Sequence, residues 1–212
     1  MNLQRPYVVV KAACSLDGKI ALKNGQSQWI TGPQAREQGH RLRADLGAVL
    51  VGANTVRKDN PKLSARIDGV VNQPRRIVLD PKGSLGKDYE VFKSNPPGLR
   101  VVGEGLAAGE NDLAVSVQSG VLDLHEMIRA LWDRGLTSLL VEGGGITIGH
   151  FFEAGLVDRL EMFVAPIVIG DGLPWISGVE HSSLEQAFGM TIEDTRMIGP
   201  DLWITSTSNR AT

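Results

Sequence analysis

At 212 residues, with 42% hydrophobic and 22% charged side chains, the chain is long enough to bury one sizeable core, and a single domain over residues 1–212 is expected. Its formal net charge of −2, with basic residues clustered no further than pairs such as Arg75-Arg76, argues against a nucleic-acid or anionic-membrane binder and leaves a small molecule as the expected partner. One cysteine, Cys14, excludes an intramolecular disulfide and a cysteine zinc cluster, and His40, His125, His150 and His181 lack metal-ligand spacing, so no metal is expected.

In chain order, MNLQRPYVVVKAACSLDG offers one short apolar run interrupted by Lys11 and Asp17. It fits neither a signal peptide nor a membrane span, and a cytoplasmic protein is expected. Residues 7–14 read as a strand and 33–45 as a helix, with Thr31 placed to cap it and Pro33 in its first turn. Short buried strands follow at 48–52, 75–80, 99–103 and 113–117. Asp123 is a candidate N-cap for a helix that puts Leu124, Ile128, Leu131 and Trp132 on one face and ends at Gly135. A strand at 138–142 then runs into a second helix that Gly155 can close, and residues 159–170, 189–199 and 201–208 read as three further strands. That order predicts an α/β fold with a mixed, mostly parallel sheet finished by antiparallel strands at one edge.

The run Glu142, Gly143, Gly144, Gly145 joins a strand to a helix. Unpaired N–H groups and the positive end of a helix dipole converge there, which suits an anion such as a diphosphate. Glycine would allow close approach, or a positive φ in a tight turn; close packing at a strand-to-helix turn is the competing explanation. A second glycine pattern, GEGLAAG at 103–109, follows a strand but turns extended again within a few residues, so a flexible loop is expected there and no Rossmann turn.

The N-terminal third gathers polar chemistry around glycine-marked turns: Lys11, Asp17, Ser27, Trp29, Arg43, Asn54, Thr55, Asp59 and Arg66. The segments K-x-x-x-S-L-D-G-K at 11–19, S-Q-W-I-T at 27–31, H-R-L-R at 40–43 and V-G-x-x-T-V-x-x-D-N-P at 51–61 occur in that order. They are followed by R-I-V-L-D at 76–80, V-E-G-G at 141–144 and D-x-x-x-x-x-x-A-P-x-x-I-G at 158–170. Together these resemble the reductase of riboflavin biosynthesis, a dihydrofolate-reductase-like domain that forms the C-terminal half of bifunctional deaminase-reductases. The resemblance implies a dihydrofolate-reductase-like three-layer fold and NADPH-dependent reduction of a phosphoribosylamino-pyrimidine to its ribityl form, by a homodimer.

Position by position, the resemblance places the cofactor against Ala13, Trp29, Thr55, Asp59, Pro81, Gly144, Gly145, Ile146, Thr147, Ile148, Gly149 and His150. It places the substrate against Ser27, Arg43, Leu63, Arg66 and Glu142. Arg43 and Arg66 suit a 5′-phosphate, and Lys11, Asp59 and Glu142 are the candidates for ring opening and proton transfer, with Glu142 at the pyrimidine edge. Lys82 and either Arg57 or Lys58 are candidates for the 2′-phosphate of NADPH. The H-x-E and P-C-x-x-C elements of a zinc deaminase are missing from this sequence, so a standalone reductase is expected, and the motifs leave open whether the pyrimidine arrives deaminated. Two alternatives stand beside this: a reductase of another pterin or pyrimidine on the same scaffold, and a non-catalytic NADPH-binding protein.

Overall fold

The computed structural model describes residues 4–106 and 109–209. In chain order its elements are β1 (Tyr7–Ser15), β2 (Lys19–Leu22), α1 (Pro33–Leu46), β3 (Ala48–Gly52), α2 (Ala53–Asp59), β4 (Arg75–Leu79), β5 (Leu99–Gly103) and β6 (Asp112–Val115). There follow β7 (Val117–Gln118), β8 (Val121–Leu122), α3 (Leu124–Asp133), β9 (Ser138–Val141), α4 (Gly145–Glu153), β10 (Arg159–Ala165), β11 (Gly172–Pro174), β12 (Met190–Ile198) and β13 (Asp201–Ser208). They divide into two compact units, the first Leu42–Gly143 with the N-terminal segment up to Tyr7, the second Val8–Arg41 with the chain from Gly144 onward.

In the first unit the strands run β9-β3-β4-β5-β6, and every pairing between them is parallel. Leu50 lies opposite Ile77 and Val141, and Val78 opposite Arg100. Strands such as AVLVG and RRIVL are apolar without alternation because both faces of a parallel sheet are covered. Helix α3 begins as its sequence predicts, with the Asp123 side chain accepting from the N–H of Glu126 at 2.9 Å. Its buried face is Leu124, Met127, Ile128 and Leu131; Trp132, expected on that face, is half-buried, and Met127 takes its place.

In the second unit the order is β12-β13-β10-β1, with β1 parallel to β10 and the other neighbours antiparallel. The expected antiparallel C-terminal edge is thus present. Strand β12 is exposed along most of its length. A small antiparallel ladder, β2 with β11, lies outside this sheet.

Several boundaries differ from the sequence expectation for local reasons. Helix α1 is capped by Gly32, whose carbonyl accepts from the N–H of Arg36, so Thr31 sits one position too early to cap it. The run at 113–117 breaks into β6 and the β7–β8 hairpin, and the strand from residue 159 stops at Ala165, leaving 166–171 irregular. Helix α2 was not expected at all. Of the loop at 103–109, residues 107 and 108 lie outside the described residues, as do residues 1–3 of the N-terminal segment. Among the described residues no helix is long and apolar enough to cross a membrane.

The turn after β1 is tied to the 166–171 segment by one carboxylate. Asp17 Oδ1 accepts from the Ser15 hydroxyl at 2.6 Å and from the N–H of Ile169 at 3.0 Å, while Oδ2 accepts from the N–H of Gly170 at 2.7 Å. The Ser15 hydroxyl and then these backbone N–H groups hold the Asp17 carboxyl down from 3.8 to about 2. A depressed folded-state value means stability that is fully present above the unfolded value and is lost as pH falls toward 2. Asp17→Asn should therefore melt below the wild type at pH 6, with the gap narrowing as pH falls from 4 to 2. Thermal melts across that range check it, and a gap that does not change with pH overturns the clamp.

Candidate active site

In the first unit one pair of charges organises the surroundings. Arg43, in the last turn of α1, donates from Nε and Nη2 to the two carboxylate oxygens of Glu142, each at 2.7 Å. The side chains are only 16% and 11% exposed. Glu142 follows β9 directly, and its own N–H is fixed by the carbonyl of Leu50 at 2.9 Å, so the carboxylate sits at the strand's C-terminal end. Burial pulls the Arg43 pKa down, but the charge and hydrogen bonds of Glu142 more than offset it, and the guanidinium is held in its charged form.

The third guanidinium nitrogen of Arg43 donates to the carbonyl of Ser64 at 3.1 Å. That locks the segment carrying two expected substrate residues. Leu63 is buried with φ +50, a strained conformation for a branched side chain, and Ala65 is gripped at both its N–H and its carbonyl by the Gln73 amide, at 2.9 and 3.1 Å. Arg66, at the end of this held segment, is exposed. Three of the five N–H groups of Arg43 are committed to the protein, so the fork that the motif assigns to a phosphate is first of all a clamp on Glu142.

Helix α2 carries Thr55, half-buried, and Asp59, exposed. It ends at Asn60 in the left-handed conformation just before Pro61, so Asp59 is the last residue of a short helix. Pro81 follows Asp80 at the end of β4. Asp80 is buried, accepting from the Ser84 hydroxyl at 2.9 Å and the N–H of Leu85 at 2.8 Å.

In the second unit, Lys11 is half-buried on β1 with its ammonium 5.8 Å from the centre of the Phe163 ring, and Ala13 is two residues further along the strand. Beside Lys11 in the β1–β10 register lies Glu161, which is fully buried. It accepts from the Trp203 indole N–H at 2.6 Å and the Thr205 hydroxyl at 2.8 Å. Arg159 Nε approaches its other oxygen to 2.6 Å, off the hydrogen-bonding axis. Ser27 is half-buried, and Trp29 is 66% exposed with the Arg36 guanidinium stacked 4.5 Å from its ring centre. Cys14 takes no part: burial, and then the charge of Asp17, push its thiol up to about 11.

Gly144, Gly145 and Gly149 divide by packing. A Cβ on Gly145 would lie 2.6 Å from the carbonyl oxygen of Pro174, and one on Gly149 would lie 2.1 Å from that of Ser177. Their bareness is imposed by the packing of α4 against residues 174–177. Gly144 is different: it caps α4 in an ordinary extended conformation, φ −66 and ψ 169, and a Cβ there would meet nothing within 4 Å. No positive φ is needed at that position. Ile146 is exposed, Thr147 and His150 are half-buried, and Ile148 is 1% exposed, so Ile148 has only its backbone to offer a ligand.

A dinucleotide fits the residues present. Gly144 opens onto free space at a helix start whose first N–H groups have no partner within the helix, and Trp29 is a flat exposed platform. Among the described residues no group of three or more His, Cys, Asp or Glu could hold a metal ion. The motifs flagged Arg43 and Glu142 separately, but their pairing, the Gln73 grip on Ala65 and the Asp80–Ser84 contact carry no sequence signal, since each needs residues that only folding brings together.

Residues 6–204 match the family model described as the RibD C-terminal domain. The chain is 35% identical, over 216 aligned positions, to the riboflavin biosynthesis protein RibD of Bacillus amyloliquefaciens, covering 97% of this chain and 58% of that protein. Its structure is similar to that of the diaminohydroxyphosphoribosylaminopyrimidine deaminase/5-amino-6-(5-phosphoribosylamino)uracil reductase of Thermotoga maritima, with a TM-score of 0.82, 32% identity, and coverage of 97% of this chain and 57% of that one. In fold alone it is similar to the dihydrofolate reductase of Enterococcus faecalis, with a TM-score of 0.56, 13% identity, and coverage of 96% and 97%. The chain spans a little over half the length of the curated relatives it matches.

The contrast among the glycines is open to test. Gly149→Ala should destabilise the protein by about 2 kcal/mol or more, because backbone must move to admit the methyl group, whereas Gly144→Ala should stay within about 0.5 kcal/mol of wild type. Urea unfolding of the two variants measures this, and equal stabilities would refute the packing argument.

Proposed function

Because the chain belongs to the RibD C-terminal domain family, we propose that it catalyses the NADPH-dependent reduction of the ribosyl side chain of a 5-amino-6-(5-phosphoribosylamino)pyrimidine to the ribitylamino form, in the uracil or the diaminopyrimidinone series. The observation that carries the proposal is the buried, bidentate Arg43–Glu142 pair at the end of β9. It presents a fixed carboxylate, and a carboxylate acceptor suits the N–H edge of an aminopyrimidine.

The substrate's sugar is a closed ring with no electrophilic C1′, so the ring must open before reduction. Lys11 serves as the acid: its proton goes to the ring oxygen as the C1′–O bond breaks, leaving a 4′-hydroxyl, and the exocyclic nitrogen forms a C=N bond to C1′. Bound NADPH would supply the hydride that C1′ then accepts, completing a secondary amine. Asp59 takes part in the proton transfers, and the exposed Arg66 and the half-buried Ser27 receive the 5′-phosphate and a polar group of the substrate, respectively. Arg43 acts as a positioning residue, fixing Glu142 and the Leu63–Arg66 segment at once. The residues proposed for the dinucleotide are Gly144, the start of α4 and Trp29 in the second unit, and Thr55 and Pro81 in the first.

A single reductase domain over residues 1–212 is part of the proposal. A homodimer in the cytoplasm is part of the proposal, supported by the open edge of β12, where a second copy has backbone to pair with.

Consumption of NADPH with the deaminated and undeaminated pyrimidine, and with NADH in its place, is the direct test. Turnover of either pyrimidine is expected, while NADPH binding with no turnover of either overturns the proposed substrate. Gly144→Val should raise KM for NADPH about ten-fold or more at near-normal stability, because its side chain enters the space reserved for the diphosphate. An unchanged KM in the folded variant would remove the cofactor from that turn.

A further inference from the structure

Three basic residues compete for the 2′-phosphate that distinguishes NADPH from NADH, and side-chain geometry separates them. β3, α2 and β4 form one parallel strand-helix-strand unit within the first unit. In the dinucleotide-binding form of such a unit an acidic residue at the end of the second strand accepts hydrogen bonds from the ribose hydroxyls of NAD, and a nearby arginine accommodates the 2′-phosphate of NADP; the end of β4 offers the same pair of residue types, although β3–α2 lacks that form's glycine fingerprint. The acidic residue in that place is Asp80, and it is withdrawn. Its side chain is 1% exposed, with one oxygen accepting from the Ser84 hydroxyl and the other from the N–H of Leu85.

Above it stands Arg57. Its Nη1 donates to Asn54 Oδ1 at 2.7 Å and its Nη2 to the Ser84 hydroxyl, while Nη2 also lies 4.0 Å from Asp80 Oδ1. These contacts hold the guanidinium at the end of β4 with its side chain 41% exposed, and leave three of its five N–H groups uncommitted. Asp80 therefore serves to fix Arg57 through Ser84, where an outward Asp80 would repel a phosphate. Lys82 lies exposed in the same turn, two residues beyond Asp80.

We infer that Arg57, held by Asn54 and Ser84, is the residue that reads the 2′-phosphate of the cofactor, with Lys82 adding charge from the neighbouring turn. The inference rests on the nicotinamide-cofactor reading of the preceding subsection. A phosphate monoester dianion suits a pre-positioned planar fork better than a mobile ammonium, so Arg57 sets selectivity and Lys82 strengthens it.

Calorimetric titration of the purified full chain with NADPH, NADH and adenosine 2′,5′-bisphosphate reads this without any turnover. Arg57→Ala should weaken NADPH and the bisphosphate about ten-fold or more and leave NADH within about two-fold, with a smaller loss for Lys82→Ala. Added salt should erode the NADPH preference of the wild type and have little further effect on the variant. Equal losses for NADPH and NADH in Arg57→Ala would reduce the residue to a structural one, and full NADPH preference in a folded Arg57→Ala would overturn the inference while leaving the reductase proposal intact. A wild type that binds neither nucleotide would instead bring down the cofactor reading itself, and this inference with it.

Discussion

The buried ion pair between Arg43 and Glu142 is the contact on which the first unit's site depends. It joins a helix end to a strand end 99 residues away in sequence, and its third hydrogen bond reaches the carbonyl of Ser64. Removing either partner would leave a charge largely out of water, at a cost of about 3–5 kcal/mol, so the pair is held in register by its own desolvation. The consequence is geometric as well as energetic. A carboxylate at the mouth of a strand, a strained Leu63 and the chain leading to Arg66 are all fixed by one guanidinium.

The second unit uses a different device for the same purpose. Glu161 is buried with its own donors, Trp203 and Thr205, both on the adjacent antiparallel strand β13. Trp203 in turn stacks on Phe163, with ring centres 5.3 Å apart, and Phe163 lies beneath the Lys11 ammonium. Lys11 thus sits beside a polar and aromatic layer whose members are locked to one another. The antiparallel C-terminal strands have a purpose beyond closing an edge: they supply the donors that make a buried carboxylate tolerable next to β1.

The turn that begins α4 shows how one glycine-rich stretch meets two demands. Gly145 and Gly149 are bare because the 174–177 segment passes against the helix, whereas Gly144 opens onto free space. Close packing therefore accounts for Gly145 and Gly149, and it does not account for Gly144. The same economy appears at the end of β4, where Asp80 is spent inside its own turn and the exposed chemistry passes to Arg57.

Much of the architecture was legible from periodicity. The apolar runs expected as buried strands at 48–52, 75–80 and 99–103 formed strands, the second ending one residue early, Asp123 capped its helix as predicted, and the run of strands after residue 159 formed the antiparallel edge. Short or irregular pieces escaped. Helix α2 has seven residues, too few for a 3.6-residue period to show, and the β2–β11 ladder pairs residues about 150 positions apart with no local signature.

By itself the sequence determined the longer strands and helices, and which residue types could meet a phosphate, a pyrimidine or a dinucleotide, because those depend on local pattern and on motif. Tertiary structure alone decided that Arg43 spends its fork on Glu142, that Asp80 faces inward while Arg57 faces out, and that Gly144 opens onto space while Gly145 and Gly149 are packed. Those outcomes depend on contacts between residues distant in the chain, where burial sets the cost of leaving a charge or a backbone atom without its partner.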